Sequence, residues 1–154
     1  MGLIMSFTRV SAADLERISA VTEVLDEFLD ELESPQGEPS GYLDKAWAGL
    51  EYLLTEARVG VDLFYTGRPL ARDNYFAWSP DDVADASRRL NKFPFDELAL
   101  FYDPAAMDAA RLYPNIWVRD GDDGLRYLRH HYYGLVDVFA YAADRGSGFL
   151  QHFG

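Results

Sequence analysis

Leu43-Asp44-Lys45-Ala46-Trp47-Ala48-Gly49-Leu50-Glu51-Tyr52-Leu53-Leu54-Thr55 is the densest amphipathic stretch of the chain. Leu43, Ala46, Trp47, Leu50, Leu53 and Leu54 recur at helical spacing and share one face. The pattern predicts a helix over 43–55 whose apolar side is buried. Asp44 falls in its first turn, where a carboxylate interacts well with the helix dipole. Lys45 stands against the dipole at the same end, so a carboxylate from another element is expected to hold it. Neighbours on a helix diverge by about 100°, so Asp44 and Lys45 reach toward different elements.

Upstream, Ile4 to Val10 alternates and is rich in strand formers. Ser11 then caps a helix, with Asp14 at the third position as a partial capping box. Leu15, Ile18, Val21 or Thr22, Leu25, Phe28 or Leu29, and Leu32 keep helical spacing. One helix is expected there, ending before the proline- and glycine-bearing segment Ser34 to Gly41. Downstream, Val59, Val61, Leu63 and Tyr65 alternate and predict a short strand that ends at the Thr66-Gly67-Arg68-Pro69 turn. Tyr75 to Trp78 is a second short strand. Ser79-Pro80-Asp81-Asp82 is a strong helix start: N-cap serine, proline at the first position, acids in the first turn. Short helices follow from Pro94 or Phe95 and from Asp103-Pro104. Tyr113-Pro114-Asn115-Ile116-Trp117 reads as an aromatic loop, because a residue before proline leaves helical geometry. A long final helix begins near Asp122 and stops at Gly146. Gly148 to Phe153 alternates and is expected to pair with the N-terminal strand. The whole reads as α+β: a single domain over 1–154 with a small, mostly antiparallel sheet that includes both terminal strands, packed with several helices.

Composition narrows the chemistry. The 154 residues are 49% apolar and include no cysteine, which excludes disulfides, thiolate metal sites and thiol catalysis. No apolar run is long enough to span a bilayer, and the N-terminus lacks a secretory signal. A cytoplasmic location without membrane association is expected. The formal net charge is −12, which disfavours direct nucleic-acid binding. Glu23, Asp26, Glu27, Asp30, Glu31, Glu33 and Glu38 form a run with no base among them. Such a run is a docking face for a basic partner, a mimic of nucleic acid, or a solvated helix face that keeps the protein soluble. Lys45 and Lys92 are the only lysines against twelve arginines, so an ammonium in the central motif is a weak hint of a specific role.

The order and spacing of these pieces resemble the YfbM-like family of uncharacterised bacterial proteins. The resemblance rests on the Met-Gly start leading to Phe7-Thr8-Arg9-Val10, on Leu43-Asp44-Lys45-Ala46-Trp47 with Leu50 and Leu53-Leu54-Thr55, and on the Gly67 turn. Ser79-Pro80-Asp81-Asp82-Val83 and Tyr113-Pro114-Asn115-Ile116-Trp117 complete it, across nearly the whole chain. It implies a compact α+β domain and assigns no catalytic residue. The family helix often opens with two acids flanking a hydrophobic residue before the lysine. Here the first of those positions is Tyr42, so the resemblance does not supply a carboxylate pair.

Three groups are candidates for function. Asp44, Lys45 and Trp47 form either a polar pocket beside an aromatic wall or a salt bridge with a core tryptophan. Tyr113 and Trp117 form either an exposed docking loop or a lid buried on the core. His131 flanks the apolar stripe of the last helix, whereas His130 lies on the polar side. Adjacent histidines diverge and make a poor metal pair, although His152 could meet His131 if the terminal strand packs nearby. No phosphate loop, dinucleotide fingerprint, nucleophile elbow or zinc-protease motif is present, and no cofactor or metal is expected. Two functions remain. One is a non-enzymatic acidic module for a basic protein partner, of immunity or inhibitor type. The other is a small enzyme or small-molecule binder, its pocket near Asp44, Lys45, Trp47, Trp117 and His131.

Overall fold

A computed structural model describes residues 2–30 and 37–154. In chain order its elements are β1 (Met5–Val10), α1 (Ala12–Ala20), α2 (Thr22–Asp30), β2 (Tyr42–Asp44), α3 (Trp47–Glu56), β3 (Arg68–Pro69) and β4 (Tyr75–Trp78). These are followed by α4 (Pro80–Asn91), α5 (Phe95–Ala99), α6 (Pro104–Ala109), α7 (Trp117–Asp120), α8 (Asp122–Asp144) and β5 (Gly148–Phe153). The strands form one antiparallel sheet in the order β2-β1-β5-β4-β3. The chain ends meet as expected: β1 pairs with β5 along its whole length, from Met5 opposite Phe153 to Val10 opposite Gly148.

Strand alternation divides the side chains between two cores. Met5, Phe7, Trp78 and Phe149 face α3, α4 and α8 in the larger core. Val10, Ala77 and Leu150 point the other way, onto Leu15, Ile18 and Leu25 of α1 and α2. Ring pairs tie the larger core together: Phe7 meets Trp78, Phe139 and Phe149 at centroid distances of 5.3–5.4 Å. Gln151 is a buried polar group bonded within it. Its carbonyl accepts the Trp78 indole N–H at 2.8 Å, and its amide donates to the Leu63 carbonyl at 2.7 Å. Among the described residues no helix is long and apolar enough to cross a membrane.

Four local expectations are corrected. The helix predicted from Leu43 begins at Trp47, because Tyr42–Asp44 is spent on pairing with Met5 and Ser6. Asp44 then takes φ 51°, a left-handed geometry that no α-helix continues through. The single helix expected after Ser11 is two, broken at Val21, whose backbone is extended. The break lets Leu15 and Ile18 on one piece and Leu25 on the other reach the same face of the sheet. Leu32 and the start of the predicted loop lie outside the described residues.

Val59, Val61 and Leu63 are buried alternately, but Tyr65, the fourth of the alternating set, is 88% exposed, and the segment pairs with no strand. Their segment is pinned by side chains instead, through the Glu51 carboxylate and Gln151 amide on either side of Leu63. Finally, the aromatic loop stops short of Trp117, which takes the buried one of its two alternatives. Trp117 opens α7 and is wholly buried, with its indole N–H on the Leu112 carbonyl at 2.9 Å.

Candidate functional site

Leu43 faces the core, so the strand places its neighbours Tyr42 and Asp44 toward the surface beside α8. There the Asp44 carboxylate accepts the Tyr127 hydroxyl at 2.6 Å and the Tyr42 hydroxyl at 3.2 Å. The Tyr127 oxygen accepts in turn from the Lys45 backbone N–H at 3.0 Å. His131 lies one turn along α8 from Tyr127, with ring centroids 4.7 Å apart. The left-handed turn at Asp44 is what brings its carboxylate and the Lys45 amide onto one tyrosine.

Burial and hydrogen bonds together set the electrostatics of this cluster. The Tyr127 hydroxyl holds the Asp44 carboxyl below its ordinary range; partial burial opposes this and the Tyr42 hydroxyl assists. Burial and the bond to Asp44 push the Tyr127 phenol well above its usual value. Burial and neighbouring His130 keep His131 below the ordinary imidazole range, against the pull of Asp44. At neutral pH the cluster therefore holds a charged carboxylate, a firmly protonated phenol and a neutral imidazole.

Lys45 departs from expectation. It precedes the helix, and among the described residues no carboxylate pairs with it. Its methylenes and ammonium lie against Gly2, where a β-carbon would collide with them and meet the Tyr113 hydroxyl at 3.0 Å. That hydroxyl accepts the Leu3 N–H at 3.0 Å, while the Trp47 indole donates to the Leu3 carbonyl at 2.9 Å. Trp47 and Tyr113 stack at 5.6 Å with planes 15° apart. Lys45, Trp47 and Tyr113 thus strap the N-terminal segment to the start of α3.

Trp117 is not part of that arrangement. It packs on Gly49, where a β-carbon would stand 2.7 Å from its ring. Positions 47 and 49 point about 200° apart around a helix, so the two tryptophans lie on different sides of α3 and share no cavity. His131 and His152 do not meet either. His152 follows the buried Gln151 on β5 and so points to the opposite sheet face, where its ring lies 4.6 Å from Tyr75. Among the described residues no three His, Asp or Glu side chains gather to hold a metal ion.

A family profile described as "Domain of unknown function (DUF1877)" matches residues 1–152. The chain belongs to the DUF1877 family. The crystal structure of YfbM from Escherichia coli, described as a protein of unknown function, shares this fold with a TM-score of 0.71 at 14% identity. The alignment covers 98% of this chain and 99% of that one. No curated protein matches the chain.

Two features of this DUF1877 domain escape the sequence reading. Tyr127 is the hub of the Asp44 cluster, and only its spacing of four from His131 points to it. Glu51 lies four residues after Trp47, at the flank of the apolar stripe, and a carboxylate there is an available signal. It is largely buried, accepts the Leu63 N–H at 2.9 Å, and has its carboxyl pushed up to about 7. Burial is the main cause; the charge of Asp62 adds to it and the Leu63 bond opposes it. Glu51 lines a shallow cleft of about 420 Å³ with Thr55, Arg58 and Asp62.

Tyr127→Phe deletes one hydroxyl and leaves Asp44 and the Lys45 amide short of a partner. The expected cost is about 1–2 kcal/mol in urea unfolding at pH 7. The sign with pH follows from the lowered Asp44 carboxyl, whose stabilising effect is present above its unfolded value and lost as pH falls through its folded one. The wild-type advantage should therefore shrink on acidification, and an advantage that grows would contradict the assignment.

Proposed function

We propose that this DUF1877 domain is an acidic interaction module that docks a basic protein and performs no chemistry of its own, in a cytoplasmic setting. The observation that carries the reading is the placement of its −12 charge. Carboxylates stand exposed on α1, α2, α5 and α8, while most polar groups near the central motif are engaged with one another or with the N-terminal strap. A surface of this kind attracts cationic proteins at long range and repels phosphate backbones. An inhibitor or immunity role, in which the domain covers the cationic face of its partner, is the concrete form. The test is titration against purified basic proteins found in the same cell. Affinity should fall at least about tenfold between 50 and 300 mM salt. Absence of binding at low salt, or binding indifferent to salt, overturns the reading.

The Asp44 cluster favours a second reading, a small-molecule site or small enzyme at the corner of Asp44, Lys45, Trp47 and His131. A partly buried carboxylate, phenol and imidazole held side by side support it. In a thermal-shift screen, this reading expects a metabolite whose stabilisation disappears in His131→Gln while the unliganded melting temperature is kept.

A further inference from the structure

Among the described residues eight large apolar side chains are exposed, and three of them belong to two segments that meet at one joint. Leu100 is 83% exposed, Val118 60% and Phe101 41%. Leu100 and Phe101 form the turn after α5, and Val118 lies in α7. Two hydrogen-bond systems lock these segments together. The Tyr102 hydroxyl donates to the Gly121 carbonyl at 2.7 Å, and the Asp108 carboxylate accepts the Trp117 and Val118 amides at 3.1 and 3.0 Å. Tyr102 also sets its ring edge against buried Trp117, with centroids 6.5 Å apart. These bonds tie the joint together, and Leu100 and Val118 stand mostly in solvent on it.

Its rim is acidic. Residues 96–123 contain seven carboxylates and two arginines. Asp108, Asp120 and Asp122 stand close enough to the Tyr102 phenol to help burial raise it. Arg119, Arg126 and Arg129 pair with Asp120, Asp123 and Asp96, and Asp103 and Asp108 accept backbone amides, which leaves Glu97 and Asp122 with neither among the described residues. Exposed apolar centres inside a charged border are the anatomy of a protein-docking surface. A second copy of the chain is a poor occupant, since it would bring −12 against −12.

We propose that this joint, built from the α5–α6 turn and the start of α7 and α8, docks a cationic amphipathic segment of a basic protein. Aliphatic side chains of the segment cover Leu100, Phe101 and Val118, and its lysines or arginines face Glu97 and Asp122. This rests on the basic-partner reading and deepens it by naming the surface.

The test titrates the full chain, followed by amide NMR, with a synthetic helical peptide of alternating lysine and leucine pairs. A version with serine for leucine and a version with glutamate for lysine serve as comparisons. The lysine–leucine peptide should shift amides around Leu100, Val118 and Gly121. Leu100→Ser with Val118→Ser should weaken it about tenfold without lowering the melting temperature, because both side chains are exposed. Serine for leucine in the peptide should cost a similar factor, and the glutamate peptide should not bind. Shifts that map to α1 and α2, or affinity unchanged in the double variant, overturn this surface while leaving the basic-partner reading intact. Failure of the cationic peptides to bind at 20 mM salt overturns both.

Discussion

Gln151→Leu should lower the unfolding free energy by about 2–5 kcal/mol, although it puts an apolar side chain of similar size into an apolar core. Gln151 is buried, and its amide closes two bonds that nothing else can make. The Trp78 indole N–H and the Leu63 carbonyl both terminate on it. Replacement leaves one donor and one acceptor orphaned away from water, each at a cost of about 1–3 kcal/mol. The loss is also structural, because Leu63 belongs to the unpaired segment between α3 and β3. Urea unfolding measures the total, and hydrogen exchange of the Leu63 neighbourhood should show local opening. A cost below about 1 kcal/mol would mean that the amide is not the anchor described here.

Glu51 should make the protein less stable as pH rises from about 4.5 to 7. Its folded carboxyl is raised to about 7, above the ordinary value of 4.5. Between those values the folded state keeps a proton that the unfolded chain releases, so the slope of stability with pH is negative. The shift corresponds to about 2–3 kcal/mol after allowance for residual solvent contact. Glu51→Gln keeps an oxygen for the Leu63 N–H and carries no charge. It should flatten this part of the pH profile and leave the variant more stable than wild type at pH 8. An unchanged slope would show that the carboxyl titrates normally. The lowered carboxyls of Glu38, Asp44 and Asp85 act in the opposite direction at lower pH, so the variant minus wild-type difference is the quantity to read.

Elements whose signal is local were legible. The Ser79-Pro80 start of α4, the Ser11 cap of α1 and the stop at Gly146 rest on side chains bonding their own backbone or on a glycine's left-handed freedom. The alternation of β1 and β5 was legible for the same reason: period two implies one buried side whatever the partner. The opening of the central motif was misread because Leu43 satisfies a helical stripe and a buried strand position equally well. Nothing local shows that Met5 and Ser6 will be waiting to pair with it. Val59 to Leu63 has the opposite history. Its alternation gave three buried residues, missed on exposed Tyr65, and the strand failed for want of a neighbouring edge.

The candidate site divides along the same line. Asp44 and His131 stand out by type and position, yet Tyr127, which joins them, is one tyrosine among ten. The grouping of Lys45 and Trp47 with Tyr113 depends on residues 3 and 113 meeting, a contact across 110 positions.

By itself the sequence determined the α+β class, the acidity, the exclusion of thiol chemistry, the caps and the inward faces of the main elements. Those follow from composition, periodicity and bonds between near neighbours. Only the tertiary structure decided which polar groups share a site, that Trp47 and Trp117 lie apart, that Glu51 has its carboxyl raised, and that the segments carrying three exposed apolar residues meet. Each of those depends on desolvation or distance between segments remote in the chain, and both exist only once the two sheet faces have packed.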